Sequence, residues 1–246
     1  ADVTLLCRCV PIVTSAGSPA REIAGGLLLV RDVTELRKRD RLYINDGKGN
    51  FNKGNLPDTR SSGSCVLPFD YDGDGDLDLF LGNQGLTGSF GAFPDSYLLE
   101  NRDGQFHVVE EFPGKGLGMV TDALWTDFDQ DGKMDLIVVG EWMSPVFLRN
   151  DKGKFRREHP GLPSGLWQAI APFDLDGDGD VEYLLGNWGM NSKFTASSEY
   201  PLKMYFDDFD ANGSTETVLA TAKDGTYYPL VGLDDLPLDL RFSKHH

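Results

Sequence analysis

Long apolar runs are missing from this chain of 246 residues. No window reaches the roughly 18 apolar residues that a membrane-spanning helix needs. Histidine is scarce, with four residues, and two of them, His245 and His246, end the sequence and are given no role. Neither His107 nor His159 sits beside a serine or cysteine in a nucleophile motif, and no G-x-S-x-G elbow occurs. GNQG, GNWG and the GKG stretches are not phosphate loops, because no G-K-[ST] follows at the right distance. Cysteine is limited to Cys7, Cys9 and Cys65, an odd number without the spacing of a disulfide framework. Positive charge is also short: 23 basic against 39 acidic residues leave a formal charge of −16. That balance argues against nucleic acid and against an anionic membrane surface as partners. It suits metal cations, provided the acids cluster. The opening ADVTLLCRCVPIV has no basic leader and no cleavage pattern, so any export signal is expected to precede residue 1.

The acids do cluster. FDYDGDGDLD, residues 69–78, carries Asp70, Asp72, Asp74, Asp76 and Asp78 at alternate positions. Charges this close repel, and disorder would be the cheap outcome. Yet Leu79, Phe80 and Leu81 follow at once and read as a buried strand. The pattern D-x-D-x-[DN]-G-x-x-[DE] then returns. Asp127, Asp129, Asp131, Gly132 and Asp135 form a second copy. Asp174, Asp176, Asp178, Gly179 and Glu182 form a third, and Asp208, Asp210, Asn212, Gly213 and Glu216 a fourth.

Calcium explains the pattern. It takes about 6–8 oxygen ligands, and oxygens at positions 1, 3 and 5 of a tight loop can converge on one point. Position 7 would offer its backbone carbonyl, which tolerates Asp76, Lys133, Asp180 and Ser214 alike. Glycine at position 6 permits the sharp turn, and position 9 closes the shell with a carboxylate. Magnesium fits less well, because it keeps more water. About four ions would bring the charge from −16 to roughly −8. Four solvated acidic turns without metal are the plainer alternative.

These are not EF-hands, which end in a bidentate glutamate at position 12 between two helices. Position 12 here is Leu81, Val138, Leu185 or Leu219. CVLPF, ALWT, AIAPF and KMYF precede the loops, and LFLG, LIVVG, YLLG and TVLA follow them. Each loop therefore joins two strands, apolar on both faces as where sheets pack face to face. Before and between the loops lie three hairpins: Leu42–Asn45 to Phe51, Leu98–Asn101 to Phe106, and Phe147–Asn150 to Phe155. Four strands per unit, at a period of about 50 residues, is the pattern of β-propeller blades.

FDYDGDGDLDLFLGN, TDFDQDGKMDLIVVG and FDLDGDGDVEYLLGN resemble FG-GAP (VCBS) repeats, as found in integrin α-subunit propellers and many bacterial surface proteins. LYINDGKGNF, GMVTDALWTDFD, VVGEW and GNWGMNSKF resemble the large bacterial VCBS-repeat proteins, close to the ASPIC/UnbV-containing group. The resemblance covers about residues 41–240. It implies an all-β propeller whose loops bind calcium and stabilise the blades, on a chain exported to the cell surface, periplasm or medium. The fourth loop, with Asn212 and Glu216, departs most from the pattern.

Such propellers commonly have seven blades, whereas this chain has room for about five: 1–57, 64–112, 119–160, 166–200 and 201–240. The third and fourth loops begin at Asp174 and Asp208, closer together than any other consecutive pair, so one blade is abbreviated or shares strands. The chain is then a small propeller or a piece of a larger one, with a tail over 241–246. Residues 1–40 lack the motif. Arg31–Arg39 is the best helix candidate, with Asp32 and Glu35 placed as in a capping box. GGLLLVRDVTELRKR resembles the last strand and exit linker of PAS sensor domains. These residues supply two strands of a loop-less first blade, a fusion remnant, or a sensory link.

The expected role is extracellular binding or adhesion, or a rigid structural module, with a protein or carbohydrate ligand. The alternative is a propeller enzyme acting on polysaccharide, since some polysaccharide lyases use this repeat. A glycosidase pair of carboxylates is not excluded by spacing alone. Trp125 and Trp167 fall in inner strands and read as packing between blades. Trp142 and Trp188, with Asn191 and Lys193 nearby, are the candidates for a ligand-binding face.

Overall fold

In a computed structural model of the chain, the structure describes residues 7–10, 27–31, 40–59, 62–86, 89–189, 192, 194, 196–209, 211–213 and 215–230, with side chains from residue 42 onward. The described residues form strands and no helix. β1 (Cys7–Val10), β2 (Leu27–Arg31), β3 (Asp40–Asn45) and β4 (Phe51–Lys53) make a four-stranded antiparallel sheet. Its first two strands come from the segment that lacks the motif. Arg31, where a helix was expected to start, ends β2, and the rest of that helix candidate lies outside the described residues.

The second sheet orders β5 (Ser62–Phe69), β6 (Asp78–Gly85), β7 (Tyr97–Arg102) and β8 (Gln105–Val108) in chain sequence. The third repeats the plan with β9 (Met119–Thr126), β10 (Asp135–Met143), β11 (Val146–Asp151) and β12 (Lys154–Glu158). Then the plan shortens. β13 (Gly165–Phe173) and β14 (Glu182–Asn187) pair with each other, and β13 also pairs with the far end of β10, through Glu141 and Met143. That end of β10 is free to turn because Trp142 takes a positive φ of 58°. Between β14 and β15 (Lys203–Asp207) no described residue is in a strand, so the unit expected over 166–200 has two strands rather than four. β15, β16 (Glu216–Lys223) and β17 (Thr226–Pro229) close the described chain as a three-stranded sheet.

Side-chain alternation explains why β6 and β10 are apolar throughout. Successive residues of a strand point to opposite faces, and both faces are covered here. Phe80, Leu136 and Val138 join Leu98, Val120 and Leu148 in a core between the second and third sheets. Leu79, Leu81 and Leu99 pack on the opposite face of the second sheet, against Leu56 and Phe106. Ile137 and Val139 face β13 and β14, with Ile170, Trp167 and Leu185. Trp125 packs against the first of these clusters and Trp167 against the third, as expected for the inner strands. The cover thins beyond β13: Leu184 is 63% exposed although YLLG reads like LFLG.

The glycine that ends the first three apolar runs follows the same logic. A Cβ on Gly140 would stand 2.2 Å from the Met119 carbonyl oxygen, and one on Gly82 would stand 2.5 Å from Cys65 Sγ. At Gly186, in the thinly covered β14, the nearest atom is 3.8 Å away. Gly140→Ala is therefore expected to cost about 1–3 kcal/mol through overpacking, and Gly186→Ala under about 0.5 kcal/mol. Equilibrium urea unfolding checks both, and equal costs would contradict this packing.

Candidate metal centre

All four acidic loops occupy the same place, joining β5 to β6, β9 to β10, β13 to β14 and β15 to β16. Their internal bonds repeat as well. The position-1 carboxylate accepts the amide of the position-6 glycine in every loop: Asp70 from Gly75 at 3.0 Å, Asp127 from Gly132 at 2.9 Å, Asp174 from Gly179 at 3.2 Å and Asp208 from Gly213 at 2.8 Å. Those glycines have φ of 95°, 83°, 94° and 87°, the left-handed region that other residues adopt only at a cost. The position-9 carboxylate reaches back to the amide of position 2. Asp78 accepts from Tyr71 at 3.2 Å, Glu182 from Leu175 at 2.6 Å and Glu216 from Phe209 at 2.9 Å.

The outcome is three clusters built from positions 1, 3 and 9. Asp70, Asp72 and Asp78 form one, Asp127, Asp129 and Asp135 the second, and Asp174, Asp176 and Glu182 the third. In each, one carboxylate oxygen per residue lies within 4.8 Å of the others, so each could hold a metal ion. Position 5 stands outside these clusters. Asp74 and Asp178 instead accept the amides of Asp76 and Asp180, at 2.9 and 2.8 Å. In the fourth loop Asp208, Asn212 and Glu216 are described, while Asp210 and Ser214 lie outside the described residues.

Asp78 and Asp135 are the buried members, at 1% and 0% exposed. Burial raises Asp78 from an ordinary 3.8 to about 6, helped by the charges of Asp72 and Asp74 and opposed by the Asn101 and Tyr71 amides. Burial likewise raises Asp135 to about 6, with Asp129 and Asp131 adding to the push. The Asn150 amide bonds Asp135 Oδ1 at 2.7 Å. The Phe128 amide, counterpart of Tyr71, pulls the pKa down but falls short of a hydrogen bond, leaving Oδ2 buried without a partner. A buried acidic oxygen that lacks a donor, inside a cluster of three carboxylates, is what a divalent cation would satisfy.

The second loop differs from the others in carrying its own cations. Arg149 Nη2 pairs with Asp129 Oδ2 at 2.5 Å, and Lys133 Nζ with Asp131 Oδ2 at 2.9 Å and Asp151 Oδ1 at 3.2 Å. The hydrogen bond from Lys133 holds Asp131 below the ordinary carboxylate range. Sequence reasoning allowed Lys133 only a backbone role; its side chain also neutralises a neighbour in the loop. The second and third loops touch, because Gln130 Nε2 donates to Asp180 Oδ1 at 2.7 Å.

Two residues that support the site escaped the motif. The amide of Asn101 bonds Asp78 Oδ1 at 2.8 Å, its Nδ2 donates to the Leu77 carbonyl, and its Oδ1 accepts from Gly104. Asn150 does the same for Asp135, Met134 and Gly153, and its Nδ2 also reaches the Tyr71 carbonyl of the first loop at 3.0 Å. Each asparagine ties a position-9 carboxylate to the next hairpin turn. The signal was in the sequence: Asn45, Asn101 and Asn150 stand at or one residue before the end of the first strand of three hairpins, and Asn45 also accepts from Gly47.

Of the candidate ligand face, Trp142 is half-buried and Trp188 is 47% exposed, stacked on Phe194 with ring centroids 5.6 Å apart. Both adjoin the start of β13: Trp142 lies between Glu141 and Met143, which pair with it, and the Trp188 amide donates to the Leu166 carbonyl. Asn191 and Lys193 lie outside the described residues.

No curated protein matches the chain. A family model does match, over two stretches. Residues 28–81 take in nearly all of β2, then β3 to β5, the first loop and the start of β6, so the match reaches into the segment that lacks the acidic motif; residues 127–185 take in the second and third loops with the strands between them. Both stretches match the FG-GAP-like repeat, and this chain carries FG-GAP-like repeats on an all-β framework of several sheets.

Proposed function

We propose that the chain is a calcium-stabilised β-propeller module that works outside the cytoplasm, in binding or adhesion or as a rigid scaffold. The carrying observation is the repeated cluster of positions 1, 3 and 9, one of which holds the partnerless Asp135 Oδ2. An all-oxygen, mostly carboxylate donor set is the chemistry of a hard cation, and loops that must adjust suit calcium better than magnesium. In this reading Asp74, Asp131, Asp178 and the carbonyls of Asp76, Lys133 and Asp180 complete the shells. The fourth loop binds through Asp208, Asp210, Asn212, Ser214 and Glu216. Calcium adds no chemistry of its own; it neutralises acids that would otherwise repel one another.

In this reading the four sheets hold five blades in chain order, with β1 and β2 in a loop-less first blade and β13 and β14 as a fourth blade joined to β10 within one six-stranded sheet. The blade of β13 and β14 is the abbreviated one. Export is part of this reading, because cytosolic free calcium is too low to fill weak sites of the extracellular class. A protein or carbohydrate ligand would use the face carrying Trp142 and Trp188, with Asn191 and Lys193 beside them.

Asp72→Ala and Asp176→Ala test the ligand assignment. Each should lower the number of bound calcium ions by one and lower the melting temperature in calcium, with little change in EDTA. Full metal content and an unchanged melting temperature in calcium would refute the assignment at that loop.

A further inference from the structure

We propose that the cavity beside the second loop is a binding site for a small oxyanion group, and that a divalent ion in that loop strengthens it. Only the second half rests on the metal reading above. The cavity measures about 410 Å³, and Lys133, Arg149, Lys154 and Arg156 line it together with Asp131 and Asp151. Four cations and two carboxylates line it, and Asp129 and Glu158, the partners of Arg149 and Arg156, stand just outside the lining.

Lysine and arginine along an outer strand need no ligand to explain them, because they discourage edge-to-edge pairing. β12 is such a strand, and Lys154 and Arg156 alone would mean no more than that. Arg149 is different. It lies on β11, between β10 and β12, and its Nε is buried without a hydrogen-bond acceptor. Glu158 Oε1 stands 4.0 Å from it, too far for a hydrogen bond. The Arg149 side chain is 40% exposed, and a planar fork of donors with one member free suits a carboxylate, sulfate or phosphate group. The two carboxylates of the cavity are already held by Lys133. Lys154 makes no ion pair among the described residues. Among the described residues Arg156 is engaged by Glu158 alone, in a pair where the arginine is 72% exposed and readily exchanged.

Arg149 is also the link to the metal. Its partner Asp129 belongs to the second cluster, so a divalent ion there competes with the guanidinium for that carboxylate. With Asp129 drawn to the ion, Arg149 turns more of its donors to an anion. An anion that engages Arg149 in turn releases Asp129 to the metal. Linkage requires the two effects to be equal.

Nuclear magnetic resonance of the arginine Nε–Hε signals in the whole chain tests this. The Arg149 signal is identified by its loss in Arg149→Gln. Sodium sulfate and sodium acetate are titrated separately against sodium chloride at matched ionic strength, in calcium and in EDTA, with bound calcium counted. The expected result is a saturable shift of the Arg149 signal, tighter by about fivefold in calcium than in EDTA. The double variant Lys154→Gln, Arg156→Gln should weaken it by a similar factor. Preference for sulfate or acetate separates a tetrahedral oxyanion from a carboxylate. Shifts no different from chloride's in both states, or saturable shifts that the double variant leaves intact, would overturn the site. Equal affinity in calcium and EDTA, with calcium bound, would overturn the link. Saturable sulfate binding with no calcium bound would support the cavity and remove the metal reading.

Discussion

Asn150→Ala is expected to lower the melting temperature by roughly 6–12 °C, the equivalent of about 3 kcal/mol for a domain of this size. The side chain is 3% exposed and makes three hydrogen bonds, to the Tyr71 and Met134 carbonyls and from the Gly153 amide. Alanine leaves all three backbone groups without that partner. One of them belongs to the first loop, 79 residues earlier in the chain, so the loss loosens the joint between the second and third sheets as well as the loop beside it. Asn101→Ala should cost less, because its amide reaches only Leu77 and Gly104 of its own sheet. Thermal unfolding of both variants in EDTA checks the order. A shift under about 1 °C for Asn150→Ala would mean that the joint is not where this geometry places it.

Acid is expected to move stability in opposite directions with and without calcium. Asp78 and Asp135 are raised from 3.8 to about 6 in the folded protein, chiefly by burial. A raised folded pKa means that the folded state holds protons which the unfolded state has released. The contribution is fully present below the unfolded pKa and is lost as pH rises through about 6. In EDTA the melting temperature should therefore rise as pH is lowered from about 7 to about 5. Asp46, Glu100 and Asp131 are held low by their hydrogen bonds and oppose this trend only at lower pH. In calcium the sign reverses, because the ion needs both carboxylates ionised and protons compete with it. The two melting curves should converge toward pH 5. Curves that stay parallel across that range would show that neither acid takes part in holding the ion.

What could be read from the sequence was whatever repeats locally. The loops announce themselves because each needs its own carboxylates at positions 1, 3 and 9 and its own glycine at position 6. The strands beside them follow from the apolar runs, and β5, β6, β9, β10, β13 and β16 lie where CVLPF, LFLG, ALWT, LIVVG, AIAPF and TVLA placed them. The hairpins ending at Phe51, Phe106 and Phe155 likewise form. What escaped depends on the fold. Arg149 lies well beyond the motif that contains Asp129, and only the closing of β11 against β10 brings it to the loop. Leu184 matches Phe80 in type and register, yet it is exposed because, among the described residues, no sheet covers it as the third covers Phe80. The position-5 carboxylates were counted as ligands from spacing; their present bonds to the position-7 amides depend on side-chain rotamers that spacing does not specify.

Thermal unfolding of the whole chain in calcium and in EDTA, with bound metal counted by mass spectrometry, tests the central claim most directly. The account predicts about four calcium ions per chain and a melting temperature raised by calcium in a concentration-dependent way, as for any ligand that binds only the folded state. No bound metal and identical melting temperatures in calcium and EDTA would contradict it, leaving the acidic loops as turns held by their own amides alone.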